Sequence, residues 1–283
     1  MKSLVLLFLS LSVSVLLNSC YEGNESLDLN SENTVDQDAV PCNDFECNDN
    51  TKLYLSHPAF DVFRDSSGGN ITIAKVADNI IITTNAMPNH VSPYWTDTHQ
   101  NYISPADDGV ITDLQYLDAN DAKIDGFTGS FQLTVPECPS LADALTLPDK
   151  GYIGIAISGA LIHTDSLNNI QTSIFINNSL DANGGRTLGN GYHYFFEPLH
   201  LTDNDDALVG IMADGFFIYG RNHNDVTLNS TLDCTNGHIH ATEHSNGEDI
   251  YHYHINETVN AATGKYNIFT TRFGGTPSTI EAL

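Results

Sequence analysis

Two histidine pairs with the spacing His-x-His lie close together in the second half of the chain. The first pair is His238 and His240, and the second is His252 and His254. In an extended strand, residues i and i+2 point to the same face, roughly 6.5 Å apart. If the two segments form neighbouring strands, the four rings can converge, because opposed Cβ atoms are about 5 Å apart. Imidazole is the commonest metal ligand among protein side chains, so the spacing predicts a metal site.

The donor types indicate which metal the site would bind. Imidazoles with carboxylates near in sequence favour Zn²⁺, Cu²⁺ or Ni²⁺ over Ca²⁺ or Mg²⁺, and we expect a divalent transition metal, zinc or copper. His90 and His193 are further candidate ligands. In the alternative interpretation the histidines are structural and form hydrogen bonds with the backbone and with the tyrosines that alternate with them. Both interpretations are open at this point.

An echo of the motif occurs earlier in the chain. Gly185-Arg186 precedes Tyr192–Phe195 as Gly237-His238 precedes Tyr251–His254. The pattern indicates a duplicated unit whose first copy carries Arg and Phe where the second carries histidines. His193 is the expected remaining ligand of that first copy.

Strands must position these side chains. Short runs of β-branched and aromatic residues are separated by turn residues such as Asp214-Gly215, and this pattern predicts a single all-β domain, a β-sandwich or barrel-like fold with few or no helices. The expected strands include Ile71–Val76, Asn79–Thr84, Val110–Leu117, Lys123–Phe127, Phe131–Val135, Ser173–Asn177, Leu208–Ala213, Phe216–Tyr219 and Ile250–Ile255. Helical periodicity is absent except at Ser140–Leu145, where Pro139 and Ser140 suit a short helix start.

The start of the chain predicts export. Residues 1–19 read as a lipoprotein signal peptide, because an apolar run ends in Leu17–Cys20, which resembles a bacterial lipobox. The resemblance implies cleavage before Cys20 and lipid attachment to its sulfur; the alternative is an ordinary signal peptide with an incidental cysteine. Residues 20–50 are expected to be a disordered acidic tether, and 51–283 the β domain. We expect an outer-membrane lipoprotein of a Gram-negative envelope. Exposure at the cell surface is one alternative within this prediction.

The remaining cysteines predict disulfides. Lipidation of Cys20 leaves Cys42, Cys47, Cys138 and Cys234, an even number in an oxidising compartment. Among the three possible connectivities, we expect Cys42 to pair with Cys47 and Cys138 with Cys234.

The charge of the chain excludes one class of partner. Asp and Glu total 36 against 10 Lys and Arg. Such a surface repels phosphate backbones and anionic headgroups, so we expect no nucleic-acid binding and membrane contact only through the lipid anchor.

At several segments the chain resembles the YHYH-domain proteins, a family named for the motif found here at Tyr251–His254. The other matching segments are Thr84–His90, Gly151–Gly159, Leu208–Gly220 and Leu232–His238, which together extend over roughly residues 70–275. The resemblance implies a domain of bacterial secreted and surface proteins with a His-rich site and no settled reaction. The chain departs from the family pattern at Arg186, Phe195 and Phe217.

Three functions are compatible with these features. The first is an envelope lipoprotein that binds a transition metal in a His-lined pocket. The second is a metal-assisted hydrolase or lyase acting on an extracellular polymer. The third is a non-catalytic surface component that binds a glycan or an envelope protein. Four histidine ligands would close a tetrahedral site, whereas three with a water would favour catalysis.

Overall fold

The computed structural model describes residues 35–36, 45–111, 123–148, 151–164, 178–202, 207–223, 226–227, 232–255, 259, 264–268 and 272–283. Cys20, Cys42, the strand expected at 173–177 and most of the one expected at 110–117 lie outside these residues. Among the described helices, none has the length and apolar character needed to cross a membrane.

Short strands make up most of the regular structure. They are β1 (Val35–Asp36), β2 (Ile71–Val76), β3 (Asn79–Thr84), β4 (Phe131–Pro136), β5 (Leu141–Thr146), β6 (Tyr152–Ala156), β7 (Leu161–His163), β8 (Gly185–Leu188), β9 (Gly191–Tyr194), β10 (Leu208–Met212), β11 (Phe217–Tyr219), β12 (Asn222–His223), β13 (Val226–Thr227), β14 (Gly237–Ala241), β15 (Asp249–His254), β16 (Phe273–Gly275) and β17 (Ile280–Ala282). The helices are α1 (Pro58–Ser66), α2 (Pro105–Asp108) and a 3₁₀ turn (Ile124–Gly126).

Within the described residues, the strands form one large sheet and three smaller ones. The large sheet has the order β14-β15-β11-β10-β6-β7-β9-β8, and the others are β17-β4-β3-β2, β1-β5-β16 and β12-β13. Leu133 of the four-stranded sheet and Ile155 of the large sheet belong to one buried apolar cluster. The predicted all-β class with few helices is confirmed, and the large sheet is open and does not close into a barrel.

The large sheet is symmetric about its centre. There β6 and β10 pair antiparallel, with Ile155 opposite Ile211. Exchanging the two strands about this residue pair reproduces the same register. Moving outward, each half contains an antiparallel hairpin (β6–β7 or β10–β11), a parallel pair (β7–β9 or β11–β15) and an antiparallel pair (β8–β9 or β14–β15). The two halves are therefore related by an approximate two-fold axis, which exchanges the two copies of the sequence echo.

The tyrosines of the two copies make equivalent contacts. Tyr192 donates a hydrogen bond to Asp181 at 2.7 Å, and Tyr251 donates to Asp233 at 3.0 Å. Burial raises the pKa of Asp181 to about 6, against the lowering effect of its hydrogen bonds. The duplication thus extends from the sequence motif to the side-chain contacts behind the strands.

Two predicted elements are wrong. The segment 140–145, expected to begin a helix, is strand β5, because it pairs antiparallel with both β1 and β16. The segment 123–127, expected to be a strand, contains the 3₁₀ turn, in which Asp125 accepts hydrogen bonds from the backbone and hydroxyl of Thr96. Helix α1 is absent from the sequence-based prediction.

The predicted disulfide connectivity is also wrong. Cys138 pairs with Cys47, with a Cα–Cα distance of 5.5 Å, and not with Cys234. Cys234 is itself disulfide-bonded. The cross-link ties residues before the first helix to the turn after β4, where the ring of Phe45 packs 5.9 Å from that of Phe216. A spacing along the chain does not reveal this proximity, because it arises from how the sheets pack.

Candidate metal centre

Three neighbouring strands at one edge of the large sheet position the histidines. β14 and β15 are antiparallel and place His238 opposite His252, while β11 runs parallel to β15 and places Tyr219 beside His254. Strand alternation then puts His252 and His254 on one face. The two tyrosines of β15 pack on the other face against Phe216, at ring distances of 4.9 and 6.2 Å.

His238, His252 and His254 form a compact group. Their ring centroids are 4.6, 4.9 and 5.1 Å apart, and one ligand nitrogen from each ring lies within 4.8 Å of the other two. The Nε2 atoms of His238 and His252 are 3.0 Å apart. The side chains are buried, with exposed fractions of 8, 0 and 1 %. The predicted convergence of imidazoles from two separate stretches is therefore observed for three rings.

The second nitrogens of two rings are engaged by backbone carbonyls. His252 Nδ1 lies 3.0 Å from the carbonyl oxygen of Ile250, and His254 Nδ1 lies 2.6 Å from that of Gly220. Each carbonyl can only accept, so Nδ1 carries the proton and the Nε2 lone pair is directed into the group. Carbonyl acceptors of this kind fix the tautomer and orientation of metal-binding histidines.

The group fits a transition-metal ion. Zn–N bonds of about 2.0–2.1 Å in a tetrahedron place ligand nitrogens about 3.3 Å apart. The 3.0 Å between the Nε2 atoms of His238 and His252 is close to this value, and the nitrogen of His254 is no more than 4.8 Å from either. A neutral imidazole set suits zinc or copper better than calcium or magnesium.

The opposite face of the hairpin holds the two strands in register. Asp233 accepts hydrogen bonds from the amide of Gly237 at 3.0 Å and from the hydroxyl of Tyr251 at 3.0 Å. A Cβ at Gly237 would lie 2.2 Å from that hydroxyl, so any side chain at this position would displace the tyrosine ring. The glycine before His238 is required because the tyrosine lies directly against its backbone.

His240 lies beside the group but outside it. Its ring is 5.8 Å from that of His238, nearly parallel to it, and the residue is exposed. Its Nδ1 lies 2.8 Å from the carbonyl oxygen of Ala241. The structure therefore presents His240 at the solvent edge of the three buried histidines.

His193 lies in the other half of the sheet. It is fully buried on β9, opposite Arg186, and its ring stacks 5.7 Å from that of His163. Within the part of the chain that the structure describes, neither of its ring nitrogens has a hydrogen-bond partner. Burial lowers its pKa well below the usual value, and nearby His163 and Arg186 act in the same direction. This side chain is not a member of the three-histidine group.

His90 belongs to a different cluster. Its ring lies 4.3 Å from that of His200, and its Nδ1 approaches the carbonyl oxygen of Val91 at 2.8 Å. Burial lowers the pKa of His90 to about 4 and that of His200 to about 2, so both rings are neutral. His200 in turn lies 3.3 Å from the hydroxyl of Tyr194. His90, like His193, is therefore separate from the metal centre.

Tyr219 and His244 lie next to the three-histidine group. The ring of Tyr219 is 5.1 Å from that of His252, and its hydroxyl lies 3.0 Å from Thr242 Oγ1 and 3.3 Å from His244 Nδ1. Burial raises the pKa of Tyr219, so the phenol stays protonated. The Asp214-Gly215 turn signals the hairpin that ends at Tyr219, but the parallel pairing with β15 has no local signal.

Comparison with family models, curated proteins and solved structures returned no match. The geometry of the three histidines is therefore the main evidence for function.

Proposed function

We propose that the chain is a metal-binding protein of the cell envelope, in which His238, His252 and His254 hold one divalent transition-metal ion, zinc or copper. A single observation supports the proposal: three buried imidazoles direct ligand nitrogens to one point, within 4.8 Å of each other. Buried imidazoles oriented by carbonyls at their second nitrogens are typical of metal ligands. Without an ion, the Nε2 atoms of His238 and His252 at 3.0 Å form a hydrogen bond between the two rings; the same spacing suits two ligands of one ion.

Three protein ligands leave the fourth position of a tetrahedron for another group. If His240 filled the fourth coordination position, the site would be closed, which favours metal storage or structural stabilisation. A water molecule in that position would favour a metal-assisted hydrolase or lyase. The second function has its own supporting observation, the hydroxyl of Tyr219 within hydrogen-bonding distance of His244 next to the histidines. A bound ion would supply Lewis acidity to a substrate carbonyl or to water. Tyr219 and His244 would then hold or pass on a proton.

The envelope location is part of the proposal. Disulfides persist in oxidising compartments, and Cys47 and Cys138 are cross-linked. The lipobox-like segment ending at Cys20 and the resemblance to the YHYH-domain family favour export and membrane anchoring. A lipid-anchored domain of this kind would meet metal ions, glycans and other envelope proteins outside the cytoplasm.

Metal analysis of the mature domain, purified without a histidine tag, tests the proposal. We expect about one equivalent of zinc or copper, and at least about 100-fold weaker binding after His252→Ala with His254→Ala, because two of three ligands are lost. Elemental analysis gives the stoichiometry, and competition titration against a chromophoric chelator gives the affinity.

Two further variants serve as references in that titration. His99→Asn changes a histidine that stacks on Trp95, away from the three-histidine group, and should leave affinity unchanged. His240→Ala combined with the absorption spectrum of bound Co²⁺ separates a closed from an open fourth position. If the His252/His254 double variant binds as tightly as the parent, the histidines are structural and the proposal is wrong.

A further inference from the structure

A cavity of about 450 Å³ lies in the half of the large sheet opposite to the metal centre. It is formed where the ends of β5 and β7 meet the starts of β6, β16 and β17, with Phe273 and Ile280 among its buried walls. Its size is within the range of small-molecule sites. His163 lines the cavity, and the approximate two-fold axis makes its position equivalent to that of Tyr219 beside the three histidines.

This half of the sheet does not contain an equivalent three-histidine group. The positions equivalent to the three histidines of the metal centre are Arg186, His193 and Phe195. A guanidinium beside the one remaining histidine opposes the binding of a cation. This half of the sheet therefore lacks the three imidazoles that are proposed to hold an ion in the other half.

Uncharged polar groups line the cavity. They include the hydroxyls of Thr146, Tyr152, Ser278 and Thr279, and the structure gives none of these hydroxyls a hydrogen bond to another described residue. His163 donates from Nδ1 to the carbonyl oxygen of Thr164 at 2.9 Å, which leaves Nε2 as an acceptor. Burial lowers the pKa of His163, so its ring is neutral. The cavity thus offers several donors and acceptors without a formal charge.

The absence of charge is informative in this protein. Among the lining residues that the structure describes, none is Asp, Glu, Lys or Arg, although the chain carries 36 acidic and 10 basic residues. An ionic ligand would lose its hydration without gaining a charged partner, which is costly. A neutral ligand avoids this cost.

The ring of Tyr152 supplies an apolar surface next to these hydroxyls. It makes T-shaped contacts with Phe131 at 5.2 Å and with His193 at 5.1 Å, and these hold it in place. A rigid aromatic side chain gives contact area at a low cost in conformational entropy. An aromatic surface beside hydroxyl groups complements a sugar ring, which has C–H faces and hydroxyl edges.

We propose that this cavity binds a neutral, hydroxyl-rich ligand, a sugar unit of an uncharged glycan, independently of the metal centre. Tyr152 stacks on the sugar face, and the hydroxyls of Thr146, Ser278 and Thr279 with His163 Nε2 hydrogen-bond its hydroxyl groups. The two halves of the duplicated sheet then have different ligands, an ion in one and a neutral organic molecule in the other.

Calorimetric titration of the mature domain with defined oligosaccharides tests the proposal. Cello-, xylo- and malto-oligosaccharides are the neutral probes; oligogalacturonate and chitosan oligomers are the charged ones. We expect at least one neutral probe to bind at millimolar concentration or below, and neither charged probe to bind comparably. Tyr152→Ala should weaken binding at least about tenfold, and the exposed Thr279→Val should weaken it several-fold while the fold is kept.

The reference variants separate this proposal from the metal centre. Tyr102→Ala removes a half-buried tyrosine that does not line the cavity and should leave sugar affinity unchanged. His252→Ala with His254→Ala should abolish metal binding but not sugar binding. The proposal is overturned if no neutral probe binds at millimolar concentration, if the charged probes bind equally well, or if both Tyr152→Ala and Thr279→Val retain full affinity.

Discussion

At the residue scale, buried carboxylates depend on individual tyrosine hydroxyls. Tyr253, on the face of β15 opposite the histidines, donates to Asp214 at 2.5 Å and accepts from the amide of Gly274 at 2.7 Å. Asp214 is 2 % exposed, and burial raises its pKa to about 6 while the hydrogen bond from Tyr253 acts in the opposite direction. The hydroxyl therefore stabilises a carboxylate that the interior would otherwise disfavour.

Tyr253→Phe should destabilise the protein by about 1–3 kcal/mol, because it leaves a buried carboxyl and a buried amide without this partner. Chemical denaturation followed by circular dichroism measures the change in the free energy of unfolding. Tyr266→Phe is the matched control: Tyr266 is half-buried and its ring lies under Arg221, so the loss of its hydroxyl should change stability by no more than about 0.5 kcal/mol. Equal stabilities for the two variants would contradict the role assigned to Tyr253.

At the scale of elements, the start of α1 depends on a histidine. Pro58 suits the first helical position, and the His57 side chain accepts through Nδ1 from the amide of Ala59 at 3.2 Å. The ring of His57 packs 5.3 Å from that of Phe217, on the strand that borders β15. Burial, followed by the charge of His244, lowers the pKa of His57 to about 4. The neutral ring is needed because a protonated Nδ1 cannot accept the capping hydrogen bond.

This pKa predicts an acid-sensitive contribution to stability. The unfolded chain takes up the proton near pH 6.5 and the folded protein near 4, so the contribution is complete above about pH 6.5. It is lost as the pH falls from about 6.5 to 4, by up to about 3 kcal/mol. His57→Asn retains a capping side chain that does not titrate, and should reduce the loss of unfolding free energy between these pH values in metal-free protein. The cavity left by the smaller side chain lowers stability at both pH values alike, so an unchanged difference would contradict the assignment.

At the scale of the whole molecule, the two halves of the large sheet have kept their backbone pairing and changed their side chains. Arg186 lies opposite His193, as His238 lies opposite His252. Arg186 donates to Ser179 Oγ at 2.9 Å, and its charge occupies the half that lacks the metal ligands. The three-histidine group therefore belongs to one half of a two-fold arrangement, and the other half has an arginine and a phenylalanine in place of two of the imidazoles.

Restoring the two histidines should create a second metal site. In Arg186→His with Phe195→His, we expect the stoichiometry to rise from about one to about two equivalents, because the backbone register of β8 and β9 matches that of β14 and β15. Elemental analysis after removal of loosely bound metal measures the change. Arg186→His alone provides only two imidazoles and should remain near one. A folded double variant with one equivalent would show that the two halves are less alike in side-chain geometry than in pairing.

Much of this architecture is determined by local sequence. The runs of β-branched residues predicted β2 and β3 with the bounds that the structure shows, and the Asp214-Gly215 turn indicated the hairpin that leads to the three-histidine group. The His-x-His spacing also indicated a convergence of histidines from two strands, and three of the four rings in the two pairs converge. These features were predictable because side-chain direction in a strand follows a period of two, which is a property of the chain itself.

Only the tertiary structure decided which segments meet. The parallel pairing of β11 with β15, which brings Tyr219 to the histidines, and the bond between Cys47 and Cys138 join residues far apart in the sequence. The same packing leaves His240 at the solvent edge and assigns His90 and His193 to other clusters. Local spacing cannot specify these outcomes, because the partner of a strand edge or a cysteine is selected by the burial of the whole core.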